Sequence, residues 1–275
     1  MTQPAEWEGA VGDVWAQEWK RTDRAFAPLT KTLLDEITKL APECGQAVDI
    51  GCGAGETSIA IASQYPDLKV TGIDLSAELL ATAKARSQNY TNLDYLLGDA
   101  TTAVSAVEPV NLYFSRHGVM FFEEPVEAFS RFHKAAARNA TMVFSCFRDW
   151  TLNGFAHIVA SLTGEPAPDP DKLGPFAFAS EDKVAKILAS SCWKSATALP
   201  IDFDYIVGEG DSPDAALDDA VGFLRRVGPA ARAIRTASAD KQSEMIASLR
   251  AICEQCRTGN KVAFAGAAWI WSATA

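Results

Sequence analysis

The sequence predicts a doubly wound α/β protein, a mostly parallel sheet with helices on both faces. Three observations lead there. Short apolar strands alternate with helical stretches between residues 46 and 147, the rhythm of a parallel sheet with crossover helices. A turn with three alternating glycines, VDIGCGAGETS at 48–58, joins the first of those strands to the first of those helices. The next two strands both end on acids, at Asp74 and Asp99, where ligands of open α/β sheets bind.

Residues 12–40 are predicted helical, with Val14, Trp15, Trp19, Phe26, Leu29, Leu33, Leu34 and Ile37 at helix-like intervals and Pro28 marking a break or a new start. Strands are expected at 47–50, 69–75, 93–97, 109–115 and 140–147. Helices are expected at 56–64, 76–88 and 125–139. Ser76 suits an N-cap and Glu78 the first turn behind it; Pro125 suits a first helical position. Residues 148–180 break the rhythm with Pro166, Pro168, Pro170 and Pro175 and with Gly154, Gly164 and Gly174. A long loop or insertion is expected there, near the substrate site. A helix at 181–190, a strand at 196–207, helices at about 213–226, 229–237 and 240–257, and a last strand at 261–273 complete the chain. The expected division is an N-terminal helical lid (1–45), a core (46–147), the insertion (148–180) and a C-terminal part of the core with added helices (181–275).

Composition narrows the partners. The formal net charge of −10 opposes a phosphate backbone, so nucleic acid is not expected. Arg225, Arg226, Arg232 and Arg235 read as a solvated helix face. No run reaches the ~18–20 apolar residues of a membrane span, and the N-terminal MTQPAEWEGAVGDVW does not resemble a signal peptide. A cytoplasmic location is expected, with the six cysteines as thiols. Cys253 and Cys256 form a CxxC, but a zinc site needs about four ligands and no second pair stands nearby; no metal is expected.

In the glycine turn, the backbone can approach a ligand closely, ahead of a helix N-terminus. A dinucleotide fingerprint would read G-x-G-x-x-G. Here Gly51, Gly53 and Gly55 bring the third glycine one residue early, and Glu56 holds the last position. Asp49 and Glu56 would repel a pyrophosphate. A ligand with positive charge and no phosphate is favoured, and S-adenosylmethionine is one. Asp74 follows Gly51 by 23 residues, the place of an acid that accepts from ribose hydroxyls. Asp99 can accept from an exocyclic amine such as that of adenine.

With these residues the chain resembles the class I S-adenosylmethionine-dependent methyltransferases, in a branch that acts on small molecules. VDIGCGAGETS is similar to their first motif, GIDLS to their ribose contact and LLGDAT to their adenine contact. SRHGVMFFEEPVEAF (115–129) and FAGAAWIWSA resemble that branch's segment after strand four and its final strand. The resemblance implies a Rossmann-like seven-stranded sheet with an antiparallel last strand. It also implies cofactor roles: Asp49 and the Gly51–Cys52–Gly53 backbone for the methionine part, Asp74 for the ribose, Leu75 on adenine, Asp99 and the Ala100 N–H at the adenine edge, and the Ser115 backbone toward the amino group.

His117 departs from that branch, which commonly has an aromatic or apolar residue there. It is the candidate general base for an oxygen or nitrogen acceptor; the alternative is a hydrogen-bonded pocket residue. His133 and His157 are expected to be structural. Trp15, Trp19, Arg116, Trp150 and Phe178, with Phe155 and Phe176, are candidates to face a small, largely apolar methyl acceptor. Two other readings stay open at this stage: an NAD-dependent oxidoreductase and a non-catalytic S-adenosylmethionine-binding protein.

Overall fold

The computed structural model describes residues 9–164, 169 and 172–275. Pro166, Pro168 and Pro170 lie outside the described residues. The chain begins with α1 (Ala10–Gln17) and α2 (Trp19–Leu40). The alternating part follows as β1 (Gly45–Ile50), α3 (Glu56–Gln64), β2 (Leu68–Asp74), α4 (Ala77–Arg86), β3 (Leu93–Leu97), β4 (Val110–Arg116), α5 (Pro125–Ala135) and β5 (Ala136–Phe147). The remainder is α6 (Gly154–Thr163), α7 (Glu181–Ser190), β6 (Lys194–Glu209), α8 (Pro213–Leu224), α9 (Pro229–Thr236), α10 (Ala239–Gln255), β7 (Arg257–Thr258) and β8 (Lys261–Thr274).

The strands run in the order β3-β2-β1-β4-β5-β8-β6. β1 to β5 are mutually parallel, and β8 is antiparallel to both β5 and β6. This is the expected seven-stranded sheet, to which the two-residue β7 adds a short hairpin against β8. The central strands are buried on both faces: Val48, Val110, Leu112, Phe114, Met142 and Val143 are fully covered, as parallel strands flanked by helices require. Strand order reverses between β1 and β4, and the glycine turn leaves β1 at that point.

Expected helix boundaries are corrected here. Pro28 does not break α2, which runs unbroken past it. Thr22, Ala25, Phe26, Leu29, Leu33 and Ile37 bury one stripe of that helix, and packing outweighs the local cost of an interior proline. The break falls at Glu18, whose carboxylate is held by Arg21 and Arg226. The helix expected to reach 139 ends at Ala135, because 136–139 already belong to β5. The helical part of the insertion at 148–180 is α6, and buried Asn153 pins the start of that helix to β8. The Asn153 side chain donates to Ala267 O (3.2 Å) and accepts from Ala267 N (2.9 Å).

Ser76 does cap α4, accepting from Leu79 N at 3.3 Å. Cys253 is buried and Cys256 follows the end of α10. Among the described residues no cluster of His, Cys, Asp or Glu could hold a metal ion, and no helix is long and apolar enough to cross a membrane.

Candidate active site

A cavity of about 1240 Å³ opens over the carboxyl ends of β1, β2 and β4. Its floor is the glycine turn. Gly51, Gly53 and Gly55 all adopt left-handed backbone, with φ of 65°, 55° and 82°. At Gly55 a side chain would also strike the Tyr95 hydroxyl at 2.6 Å, so the early third glycine is required by the packing of β3 against the turn. The turn's amides are mostly spent on protein. Gly51 N and Cys52 N donate to Ile73 O, and Gly55 N donates to Cys52 O. Gly53 N donates to Asp74 Oδ2 at 2.8 Å. A pyrophosphate needs free N–H donors at this turn, and these four are committed elsewhere.

Asp74 lines the cavity at the end of β2. Its second oxygen accepts from Ser76 N at 2.9 Å. Burial raises its pKa, and the Ser76, Gly53 and Leu75 amides oppose that rise. Each carboxylate oxygen carries two lone pairs, so acceptor capacity remains toward the cavity. Asp99, after β3, accepts from Thr101 N at 2.8 Å through Oδ1. Leu75 and Ala100 line the same wall. Cys52, Trp15 and Trp19 line the cavity as well.

Asp49 lies elsewhere. It is fully buried beneath the turn and is not a lining residue. The Thr57 and Ser58 hydroxyls both donate to its Oδ2 at 2.6 Å, which ties β1 to the first turn of α3. Its expected direct role at the methionine part is therefore corrected to one of holding the turn in shape. Burial pushes the carboxyl up to about 6. The folded chain then keeps this proton up to about pH 6, whereas the unfolded chain loses it near 3.8. The folded state binds more protons across that window, so the group's contribution to stability falls as pH rises through it. Asp49→Asn is expected to remove this penalty, gaining about 2–3 kcal/mol over the wild type between acid and neutral pH. Urea unfolding at pH values on either side of the window measures it; parallel profiles for the two proteins would refute it.

Glu56 does not act on a ligand in the way its position suggested. It is ion-paired with Arg116, and that pairing offsets the charge expected to repel a pyrophosphate. Burial, with Asp23 nearby, still pushes Glu56 up to about 7 despite the guanidinium. Arg116 also donates to Thr30 Oγ1 at 2.7 Å and stands 3.6 Å from Asp23. Arg86 completes the group, 2.7 Å from Asp23 and 2.7 Å from Ala54 O, with its guanidinium 3.9 Å from the Trp19 ring centre. Asp23 of α2 is thus fastened to the ends of α4 and β4. Arg116 lines the cavity, but its guanidinium serves this network rather than standing free for substrate.

The other half of the cavity is aromatic, with Phe26, Phe147, Phe155, Phe176 and Tyr205 in its wall. The Phe26 and Tyr205 rings stand 4.9 Å apart, and Phe155 stacks on Phe176 at 5.8 Å. Two expected substrate contacts do not reach it. Trp150 lies outside the lining, against His157. Phe178 is sealed in the core beside Phe129, because the turn at 175–178 sends Phe176 and Phe178 to different sides. Ser115 is also buried behind the wall. Its hydroxyl donates to Ile50 O at 2.6 Å and accepts from Gly118 N at 3.1 Å.

His117 sits where the two halves meet. It is a lining residue in left-handed backbone, φ 62°, uncommon outside glycine and a frequent mark of a functional position. The next residue, Gly118, abuts Gly51: a side chain on Gly51 would come within 3.0 Å of Gly118 Cα. The imidazole is held by Phe147 at 4.1 Å and Phe26 at 5.3 Å. Nδ1 is 3.2 Å from Ser145 Oγ, and Nε2 has no partner. Burial lowers the pKa to about 3, opposed by a hydrogen bond to the Ser145 backbone and aided by Arg116. The expectation of a general base with a pKa near neutrality is corrected: this imidazole is neutral and weakly basic. The other two histidines have structural surroundings, His133 on Trp193 and His157 on Thr151 O.

Sequence reasoning missed the rim. Leu224, Val227, Gly228, Ala230 and Ala231, from the end of α8 into α9, line the cavity, as do Arg226, Arg232 and Arg235. The arginines were read as a solvated face. The Gly228–Pro229 turn with small apolar residues behind it was the available signal for a cavity wall.

The chain's relatives agree with this geometry. Residues 47–139 match a family described as a methyltransferase domain. A malonyl-[acyl-carrier protein] O-methyltransferase of Xylella fastidiosa is 27% identical over 139 residues, 50% of this chain and 47% of that protein. A trans-aconitate 2-methyltransferase of Streptomyces avermitilis is 28% identical over 132 residues, 47% of this chain and 48% of that protein. The chain thus spans about half the length of these relatives. Among solved structures, a Haemonchus contortus phosphoethanolamine N-methyltransferase 2 bound to phosphomonomethylethanolamine and S-adenosylhomocysteine superposes with a TM-score of 0.53 at 16% identity. That match covers 95% of this chain and 56% of that one, and it shows a shared fold. Residues 47–139, about a third of the chain, are thus similar to a methyltransferase domain, and the relatives that match this chain are named methyltransferases.

Proposed function

We propose that the protein transfers a methyl group from S-adenosylmethionine to a small, largely apolar metabolite. One observation carries the reading: a single cavity joins the turn, Asp74 and Asp99 to an aromatic chamber, with His117 between them. Its volume exceeds the usual span of a one-ligand site, about 300–1,000 Å³, as a site for both donor and acceptor requires. The residues present fit the cofactor. Asp74 keeps acceptor capacity for ribose hydroxyls, Asp99 and Ala100 flank the place for the adenine edge, and the turn offers few free donors to a phosphate.

When bound, the cofactor supplies an activated methyl on a sulfonium. The chain's own part is alignment and exclusion of water. Trp15, Trp19 and Asp23 cover the cofactor side, and the rings of Phe26, Phe147, Phe155 and Tyr205 dry the acceptor side. His117 holds the acceptor by a hydrogen bond. The lid would comprise α1, the start of α2, α6 and residues 173–176, joined by α9. One relative is named an O-methyltransferase, which favours oxygen as the acceptor atom. A cytoplasmic location goes with this reading.

Isothermal titration with S-adenosylhomocysteine and with NAD tests the cofactor. Binding of the first alone is expected, and binding of NAD alone would overturn the reading. A screen of small-molecule acceptors follows. Cofactor binding with turnover confined to protein or RNA would overturn the acceptor class.

A further inference from the structure

Ser145 has a buried hydroxyl that the proposed reaction does not touch, yet its surroundings decide what His117 presents to the acceptor. It lies on β5 beside Arg116 of β4 and is fully buried. Its carbonyl accepts the His117 backbone N–H at 3.2 Å, which stabilises the left-handed turn. Its Oγ meets His117 Nδ1 at 3.2 Å; no other partner of that hydroxyl is recorded among the described residues. The rings of Phe147 and Phe26 fix the imidazole plane.

A neutral imidazole carries one N–H, and two arrangements are open. If Nδ1–H donates to Oγ, the serine proton has no recorded acceptor among the described residues, and a buried unpaired donor is costly. Nε2 would then also be a bare lone pair. If the serine O–H donates to Nδ1, both of those atoms are satisfied. The one group left over is Nε2–H, itself buried and in need of a partner, on a residue that lines the cavity.

We infer that Ser145 is a positioning residue that fixes His117 as the Nε2–H form, so that the imidazole offers the methyl acceptor a hydrogen-bond donor instead of a base. The substrate atom at His117 then carries a free lone pair. A carboxylate, carbonyl or phenolate-type oxygen fits, and a neutral hydroxyl awaiting deprotonation does not. In a carboxylate acceptor the bond to Nε2–H falls on the oxygen that does not attack. The other oxygen's electron pair forms the O–CH₃ bond while the S–CH₃ bond pair returns to sulfur, and no proton moves. The inference rests on the methyltransferase reading for its meaning, but its test does not.

Nitrogen-15 NMR of the side chains in the full chain, with no cofactor added, reads the tautomer directly. The chain has three histidines, and the variants His133→Gln and His157→Gln assign them by elimination. The expected spectrum places the proton on Nε2 of His117, with the Nδ1 resonance displaced by an accepted hydrogen bond. Ser145→Ala is expected to move that Nδ1 resonance toward its unbonded position, and Ser145→Thr, which keeps the hydroxyl, to restore it. A proton on Nδ1 in the wild type overturns the inference. So does an Nδ1 resonance that is the same in the wild type and Ser145→Ala while Ser145→Thr remains folded. Failure of S-adenosylhomocysteine to bind would instead strike the methyltransferase reading and leave the tautomer result standing.

Discussion

Asp74→Asn is expected to weaken S-adenosylhomocysteine binding about 100-fold, near 3 kcal/mol. The substitution keeps size and shape but halves the accepting capacity. Asp74 takes Gly53 N on one oxygen and Ser76 N on the other. An asparagine carbonyl can serve one of them, and its NH₂ then faces the other amide, donor against donor. Hydrogen bonds to a charged group are worth about 1.5–3 kcal/mol each, so the turn between β1 and α3 loosens as the ribose contact is lost. The same variant is expected to unfold at a lower temperature, because the two amides are structural. Titration calorimetry on the wild type and the variant measures the first effect. A change under about threefold would show that Asp74 only braces the turn and makes no contact with the ligand.

Gly118→Ala is expected to cost about 2–3 kcal/mol of stability, a fall in Tm of about 5–10 °C. The reason is space rather than backbone conformation. A Cβ at this position would lie 2.4 Å from Ile50 O, 2.8 Å from Ser115 Oγ and 3.1 Å from Gly51 Cα. Ile50 ends β1 in the middle of the sheet and cannot retreat, so the turn carrying His117 must move. Cofactor affinity falls with stability, since Gly51 is on the other side of the contact. Calorimetric melting with and without S-adenosylhomocysteine checks both. A variant that melts with the wild type and binds equally well would mean that the two turns are not in contact in solution.

Much of the fold was legible because its signals are local. The alternation of apolar strands with helices needs only neighbours in sequence, and α3, β3 and α7 fall on the residues expected for them. The elements that moved did so for tertiary reasons. Pro28 stays inside α2 because the helix is pinned along a buried stripe and by Arg24, which is bonded to Ile206 O and Val207 O across to β6. The end of α5 yields to β5 because sheet pairing with β4 begins at Ala136.

The site divides in the same way. Gly51, Gly53, Asp74 and Asp99 sit at strand ends, and strand ends are readable. Asp49 shares that pattern, but the strand's alternation turns it under the sheet edge toward Thr57 and Ser58. Which way a ring points in a segment such as Phe176–Phe178 depends on a turn whose partners are distant in sequence. Arg226 looked like part of a solvent face because its partners, Gln17 at the end of α1 and Glu18 just after it, come from over two hundred residues away.

The fastening of Asp23 to Arg86 and Arg116 has a temporal consequence. Asp23 on α2 is joined to the same arginine that borders the aromatic half of the cavity, so the two halves share one cluster of charges. On the proposed function, loosening that cluster is expected to change the rate at which product leaves more than the rate of the chemical step.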